Sequence, residues 1–249
     1  MLFSSSQCHR PNMVRYVLWF VFFTGCLAQE DLGGKVFLFP KATDTAHVIL
    51  KPVIKKPVES FTVCLESYTE LTREHSLFSL AVPGKDNALL IFPMPPTTCR
   101  FILNQEPVDP KVQPEVFDWK HTCVAWESGS GVVQLWINGK LYPRTVLKKG
   151  PLIDAKASII LGQEQDSYGG GFDISQSFMG EISNVHMWDY VLTQVDIQKV
   201  LAGKKDVNGN IINWRSLQYE IKGDVTVQPK LQCRSLQNHY NLLSSCNET

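Results

Sequence analysis

Short runs of β-branched and aromatic residues, separated by turn-forming residues, recur along most of this chain. In residues 60–66 every second position from Phe61 to Leu65 is apolar, which predicts a strand with one apolar face. Residues 88–92 and 122–126 are largely apolar throughout, so we interpret them as strands buried on both faces. Such runs recur about every ten to fifteen residues, a spacing typical of a sandwich of antiparallel sheets.

The strongest local signal is a hairpin. Residues 132–137 and 140–142 are strand-like and flank Asn138 and Gly139. An Asn-Gly pair tolerates the positive φ angles of the tight type I′ turn that joins antiparallel strands. We therefore expect these two segments to pair directly.

Residues 193–203 predict one short helix. Thr193 can cap its first turn, and Asp196 places a negative charge near the positive helix end. Gly203 can end it. The predicted apolar stripe consists of Val195, Val200 and Leu201.

Two segments are predicted to lie outside strands. Residues 92–97 contain three prolines, and proline lacks the backbone N–H that a strand ladder uses, so we predict a rigid loop there. After Leu231 the composition becomes polar and includes two cysteines, so residues 232–249 are interpreted as a tail outside the domain.

The N-terminus predicts a secretory signal peptide over residues 1–28. Residues 14–26 form a short apolar core behind Arg10 and Arg15, and Ala28 offers a small residue at a plausible cleavage site. A retained signal anchor is the alternative, although the apolar segment is short for a membrane span. Met13 would make a more typical start. We expect a secreted protein with one domain over residues 29–231 and no later transmembrane segment.

The balance of charges limits the partners to be considered. The 249-residue chain has 24 Lys and Arg residues and 24 Asp and Glu residues, so its formal net charge is zero. A general polyanion-binding role therefore has no electrostatic support, and any charged partner must be bound locally.

Secretion changes the meaning of the cysteines, because disulfides form in oxidising compartments. Removal of the signal peptide leaves Cys64, Cys99, Cys123, Cys233 and Cys246. Since no pair has the close Cys-x-x-Cys spacing of a zinc site, disulfides are favoured over a metal. Five is an odd number, so at least one thiol stays free or pairs between chains. A loop between Cys233 and Cys246 and an interchain disulfide both remain open.

Residues 161–177 carry the candidate chemistry: carboxylates and amides follow an apolar run, with glycines at 169–171. Glu164 and Asp166 would share a face in an extended chain, as in some sandwich-fold glycosidases, but the glycines replace the strand that would aim a second catalytic carboxylate. Calcium fits better, because it takes six to eight oxygen ligands in flexible geometry. The loop offers Glu164, Asp166, Asp173 and Gln176, and the neighbouring turn offers Asp86 and Asn87. A solvated acidic surface is the remaining alternative.

Other catalytic arrangements lack their sequence context. The histidines of the mature chain lie in no Gly-x-Ser-x-Gly or comparable motif, and His121 is expected to be a hydrogen-bonded structural residue. The glycines at 169–171 are not followed by the Lys-Ser/Thr of a phosphate-binding loop.

One segment resembles a family signature. Residues 121–128, His-Thr-Cys-Val-Ala-Trp-Glu-Ser, are similar to the pentraxin pattern His-x-Cys-x-Ser/Thr-Trp-x-Ser/Thr, with Ala125 in place of the hydroxyl residue. The resemblance extends in order from about residue 32 to 231. Further similar segments are residues 136–139, 161–170, 184–189 and 213–220.

The resemblance implies an all-β fold, a flattened antiparallel β-jelly roll or lectin-like sandwich, with one short helix on one face and calcium on the other. It implies two calcium ions per subunit, a homopentameric ring and a disulfide between Cys64 and Cys123. The tryptophans at 126, 136 and 188 are expected in the core. The implied calcium ligands are Asp86, Asn87, Glu164, the Gln165 main-chain oxygen, Asp166, Asp173 and Gln176.

The implied function is that of a secreted, calcium-dependent pattern-recognition protein of innate immunity without enzymatic activity. Its expected ligands are phosphocholine, phosphoethanolamine or acidic sugars on microbial or damaged-cell surfaces, and complement components are candidate partners. A secreted sandwich-fold glycosidase is the alternative.

The resemblance also implies a ligand pocket beside the calcium ions. Phe92 matches the apolar position that packs on choline methyl groups in the family. Pro107 stands where the family has an acidic residue facing the ammonium group, with Glu106 next to it. Residues 93–105 depart most from the family, as a variable rim loop or as a reshaped specificity pocket. We therefore expect choline preference to be reduced.

Overall fold

The computed structural model describes residues 30–231, apart from 53, 115–117, 148 and 151–152. The predicted signal peptide and the C-terminal tail with Cys233 and Cys246 therefore lie outside the described residues. None of the helical segments within the described part has the length and apolar character needed to cross a bilayer.

Two antiparallel sheets make up the fold, which confirms the predicted all-β class. The first sheet has the order β10-β9-β8-β3-β13-β1-β15, with β11 paired to β9, and the second has the order β14-β2-β12-β4-β5-β6-β7. The strands of the described residues are β1 Lys35–Phe39, β2 His47–Leu50, β3 Ser60–Tyr68, β4 Phe78–Val82, β5 Lys85–Met94, β6 Thr98–Leu103, β7 Glu106–Val108, β8 Lys120–Glu127, β9 Val132–Ile137, β10 Lys140–Leu141, β11 Thr145–Val146, β12 Ser158–Leu161, β13 Gly180–Trp188, β14 Tyr219–Lys222 and β15 Thr226–Pro229.

The hydrophobic core lies between the two sheets. Phe61, Val63 and Leu65 of β3 are fully buried and join one cluster with Leu89 and Ile91 of β5. The alternation in residues 60–66 thus predicted the inward face of β3 correctly. The largely apolar runs at 88–92 and 122–126 are buried along their whole length, as predicted.

The predicted hairpin is confirmed. Strands β9 and β10 pair with Ile137 opposite Lys140. Asn138 and Gly139 between them have φ angles of 50° and 76°, the left-handed pair that a type I′ turn requires.

The described residues contain a single α-helix, α1 (Gln194–Leu201), which covers the outer face of the first sheet. The Thr193 side chain accepts a hydrogen bond from the Asp196 backbone N–H, as predicted. The predicted stripe is wrong at Val195, which is 63% exposed, because Ile197 and Val200 are the residues that face the sheet.

Cys64 and Cys123 form the expected disulfide. They lie directly opposite each other on β3 and β8, with their Cα atoms 4.1 Å apart. The disulfide is buried beneath α1 with Trp136 and Trp188, while Trp126 lies in the inter-sheet core, so the three tryptophans are core residues as expected.

The loop predicted at residues 92–97 is shorter than expected. Strand β5 continues through Pro93 to Met94, and the supposed rim loop contains β6, which pairs with β5. Proline is tolerated at position 93 because its backbone faces the segment that precedes β4. The Pro93 carbonyl oxygen accepts a hydrogen bond from the His75 N–H in that segment. The N–H that proline lacks would face the same segment, outside β4, so no hydrogen bond between the two strands is lost.

Candidate metal-binding site

The loop that follows β12 lies on the outer face of the second sheet and is held there by amide side chains. Gln163 Nε2 donates to the carbonyl oxygens of Thr43 and Ala46. Gln165 Nε2 donates to the Ser79 carbonyl oxygen at 3.0 Å, and its Oε1 accepts from the Gly169 N–H at 2.9 Å. The Gln165 side chain is thus committed to the fold, so its main-chain oxygen is the atom that could bind a metal.

The chain reverses direction after Asp166, so that the glycines at 169–171 lie close to the acidic residues of the loop. Gly171 has a φ angle of 78°, and a Cβ atom there would lie 2.9 Å from the Asp166 Cβ atom. Only glycine fits this position without a shift, because other residues disfavour both the φ angle and the contact. The glycine that the sequence suggested as a bend therefore has a definite steric role.

Strand β5 supplies the second part of the site. Asp86 and Asn87 lie at the start of β5, not in the turn before it as predicted. Asp86 Oδ1 accepts from the Asn87 N–H at 3.0 Å and from Gln105 Nε2 at 2.5 Å. Gln105, with a φ angle of 71° in the β6–β7 turn, also donates its N–H to the Asn87 carbonyl oxygen. No sequence signal pointed to Gln105, because only the pairing of β5 with β6 brings it to Asp86.

Three side-chain oxygens of the predicted ligand set are buried without hydrogen-bond partners among the described residues: Asn87 Oδ1, Glu164 Oε2 and Gln176 Oε1. A buried polar oxygen without a partner costs free energy, about 1–3 kcal/mol in mutational data. Carboxylate and amide oxygens are the ligands that calcium prefers. The donor set therefore fits a hard cation.

Glu164 is the most perturbed acid of the site. Only 4% of its surface is exposed, and burial raises the pKa of its carboxyl group to about 7. The negative charges of Asp166 and Asp86 raise this pKa further, while a hydrogen bond from Asn87 opposes them. A bound cation would favour the ionised carboxylate, because it would offset both the burial and the repulsion.

Asp173 caps a short 3-10 turn, Ile174–Gln176, and Gln176 is the last residue of that turn. Asp173 Oδ1 accepts from the Ser175 N–H at 2.8 Å, and this hydrogen bond lowers the pKa of the exposed carboxyl group. Arg73 holds the same turn from outside: its Nη1 donates to the Ser175 carbonyl oxygen at 2.8 Å and its Nη2 to Ser177 Oγ at 3.3 Å. No sequence signal pointed to Arg73.

Among the described residues, no three of the predicted acidic ligands bring their oxygen atoms within 4.8 Å of one another. The described residues contain one set of three His, Cys, Asp or Glu side chains whose ligand atoms lie within 4.8 Å of one another. This set consists of Cys64, His121 and Cys123. That set cannot bind a metal through thiolates, because its cysteines form the disulfide. His121 is buried with Nε2 3.6 Å from Cys123 Sγ, so it has the structural environment that was predicted.

The strand register decides the predicted ligand pocket. Leu90 and Phe92 of β5 pair with Ile102 and Arg100 of β6, and Ile102 pairs with Pro107 of β7. Residues directly opposite one another share a face, so Pro107 lies on the same outer face as Phe92. Glu106 pairs with Leu103 and belongs to the other face. Pro107, which the resemblance places at the ammonium-facing position, therefore shares the outer face with Phe92, whereas its acidic neighbour Glu106 does not.

Comparisons with known proteins agree with this architecture. The model of the Pentaxin family, the pentraxins, matches residues 35–229. The chain is 61% identical over 236 residues to a C-reactive protein of Xenopus laevis, covering 94% of this chain and 99% of that protein. It is 44% identical over 223 residues to the mouse serum amyloid P-component, covering 88% of this chain and 99% of that protein. The crystal structure of the native heptameric SAP-like pentraxin from Limulus polyphemus superimposes with a TM-score of 0.73 at 24% identity, covering 81% of this chain and 97% of that chain.

Proposed function

This chain belongs to the pentraxin family, and on that premise we propose that it is a secreted, calcium-dependent pattern-recognition protein of innate immunity. Two calcium ions per subunit would bind on the outer face of the second sheet. Their ligands would be Asp86, Asn87, Glu164, the Gln165 main-chain oxygen, Asp166, Asp173 and Gln176.

The observation that carries this proposal is the set of unpaired buried oxygens on Asn87, Glu164 and Gln176. Calcium accepts mixed carboxylate and amide oxygens and tolerates irregular geometry, so it would satisfy all three. Ions held at a surface keep coordination positions for a ligand oxygen. A phosphate or carboxylate group could therefore bind to a protein whose formal net charge is zero.

Replacement of Asp166 by Asn tests the calcium assignment. The substitution removes one charge at nearly constant volume, so we expect weaker calcium binding in calorimetric titration with an unchanged fold. The matched control is Asp206→Asn, the same chemical change at an exposed residue in the loop that follows α1. If Asp166→Asn keeps the stoichiometry and affinity of the unmodified protein, the calcium assignment is wrong.

The ligand class is tested by surface binding to phosphocholine, phosphoethanolamine and pyruvylated galactose, each with calcium or with a chelator. We expect binding that the chelator releases. Binding to none of the three would contradict the ligand assignment, whereas binding that persists in the chelator would contradict its dependence on calcium.

One observation keeps a hydrolase in consideration. A carboxyl group with a pKa near 7 beside a second carboxylate is also what a glycosidase uses as its general acid. We propose that this chain has no such activity, because glycines follow Asp166 where a second catalytic carboxylate would have to be aimed. Incubation with polysaccharides and analysis for released sugars decides between the two; turnover would establish the enzyme.

We further propose that the subunits form a closed ring of five and that complement components bind the assembled protein. The Limulus relative is heptameric, which supports ring assembly without fixing the subunit number. Sedimentation analysis of the secreted protein, with N-terminal sequencing to locate the signal-peptide cleavage near residue 28, tests both the assembly and the domain limits. A monomer in calcium would contradict the ring.

A further inference from the structure

A lateral row of residues crosses the outer face of the second sheet, starting from the metal-binding loop. The Ser76 N–H donates to the Gln176 carbonyl oxygen at 2.9 Å. Hydrogen bonds from His75 to Pro93 and from Leu77 to Ile91 place Ser76 opposite Phe92. Phe92 in turn lies opposite Arg100. The row therefore runs from the predicted ligand Gln176 through Ser76 and Phe92 to Arg100.

Arg100 is held in a fixed orientation at the end of this row. Its Nε donates to Asp109 Oδ1 at 2.7 Å and its Nη2 to Asp109 Oδ2 at 2.8 Å, a bidentate pair. The Nη1 group and the second N–H of Nη2 are not part of this pair. The Arg100 side chain is 33% exposed, so these donors can meet a ligand that lies along this row.

Two acidic residues, Asp109 and Glu74, act on the charge of Arg100, and Asp109 is the one that forms an ion pair with it. The Arg100 hydrogen bonds lower the pKa of Asp109, and Lys111 contributes in the same direction. Glu74 also interacts electrostatically with Arg100, and its carbonyl oxygen accepts from Arg73 Nη1. Arg100 is the residue of this group that lies directly opposite Phe92 in the register of β5 and β6.

We propose that Arg100 determines the charge preference of the ligand site: it favours ligands whose second end is anionic and disfavours those that end in an ammonium group. This inference rests on the proposed calcium-dependent binding of phosphate or carboxylate groups. Once such a group is bound to calcium, the rest of the ligand extends along this row, past the 4% exposed Phe92, and reaches a fixed cation. The ligand class is therefore a compound with two acidic groups, such as an acidic saccharide.

A series of ligands with one phosphate and different second ends provides the test. Phosphoglycolate ends in a carboxylate, phosphoethanolamine in an ammonium group and ethyl phosphate in a methyl group, while their lengths are similar. With calcium present, we expect phosphoglycolate to bind about fivefold more tightly than phosphoethanolamine, since charge-assisted contacts at a partly exposed site are worth on the order of 1 kcal/mol. Ethyl phosphate reports the calcium–phosphate contact alone.

Two variants assign the preference to Arg100. Arg100→Gln should reduce the ratio of phosphoglycolate affinity to phosphoethanolamine affinity from about five to about one. Ethyl phosphate should bind as before, because only the contact with the second end of the ligand is lost. Asp109→Asn should increase the ratio, because it removes the charge that offsets the guanidinium group. Lys199→Gln removes one positive charge from α1 on the opposite face and should change nothing. Each ligand also binds free calcium in solution. This competing binding is the same for every variant, so it cancels when the variants are compared.

The outcomes separate this inference from the proposed function. A preference for phosphoethanolamine in the unmodified protein, or a ratio that survives Arg100→Gln, overturns the role of Arg100 and leaves calcium-dependent phosphate binding intact. Failure of ethyl phosphate to bind in calcium overturns the proposed phosphate binding and this inference together. Thermal unfolding of each variant confirms that the fold is retained.

Discussion

Arg73 Nη1 lies 2.8 Å from the carbonyl oxygen of Ser175, a residue 102 positions further along the chain. The same nitrogen donates to the Glu74 carbonyl oxygen at 2.9 Å. One guanidinium group thus joins the segment before β4 to the turn that presents Asp173 and Gln176. Its planar set of donors suits this bridging role better than the single ammonium group of a lysine.

Arg73→Ala should therefore weaken calcium binding without removing a ligand. We expect the affinity of the ion nearest Asp173 to fall about tenfold, equivalent to about 1.4 kcal/mol, because the turn must be ordered on binding. Calorimetric titration measures this. Arg215→Ala is the control, since it removes an arginine whose partner is Asp31, outside the predicted ligand set. Equal affinities of Arg73→Ala and Arg215→Ala would contradict the bridging role.

His186 should make the protein less stable in mild acid. The Gly209 N–H donates to its Nδ1 at 3.3 Å, which requires the unprotonated ring. Burial lowers the pKa of His186 from 6.5 to about 4, and the charge of His121 contributes. Between these values the unfolded chain binds more protons than the folded chain, so the free energy of unfolding falls as the pH falls, by about 2 kcal/mol between pH 7 and 5.

Urea unfolding in the presence of a chelator, at pH 7 and pH 5, measures this contribution. His75, whose pKa burial also lowers to about 4, adds a parallel loss. The His186→Asn variant, whose amide does not titrate, isolates the share of His186. The same pH dependence in the variant and in the unmodified protein would show that His186 contributes none of it.

Helix α1 offers a matched pair of substitutions. Ile197 is fully buried against the first sheet, whereas Val195 is 63% exposed. Ile197→Ala should lower the free energy of unfolding by about 2–5 kcal/mol through lost burial and a cavity. Val195→Ala should change it by less than about 0.5 kcal/mol. Chemical unfolding measures both, and similar losses would show that the helix packs through a different face.

Cys99 should be unreactive in the folded protein. It is buried and forms no disulfide within the described residues, and burial raises the pKa of its thiol to about 12. The nucleophilic thiolate is therefore scarce at pH 8. Peptide mass spectrometry should find Cys99 alkylated by iodoacetamide in urea but not under native conditions; native modification would contradict its burial.

The burial of Cys99 limits which cysteines could form the interchain disulfide, which remains a prediction. With Cys99 enclosed, such a bond would use Cys233 or Cys246, which lie outside the described residues. Non-reducing denaturing electrophoresis of Cys99→Ala tests this: bands larger than a monomer should persist. A single monomer-sized band in the unmodified protein would instead count against any interchain disulfide.

Much of the fold could be predicted from local patterns. Alternation identified the inward face of β3, Asn138-Gly139 identified the hairpin, and Thr193 identified the start of α1. Each signal involves neighbouring residues, whose backbone preferences act whatever the rest of the chain does. The candidate oxygens were recognised for the same reason, because carboxylates, amides and glycines crowd one short segment.

The tertiary structure alone decided what those elements present to one another. The face of Glu106, the exposure of Val195 and the continuation of β5 through Pro93 all depend on which strand or sheet lies alongside. The contact of Arg73 with Ser175 depends on the arrangement of segments that are far apart in the chain. Local periodicity specifies the elements of this protein, whereas strand order and register, which arise from burying apolar surface across the whole chain, specify its site.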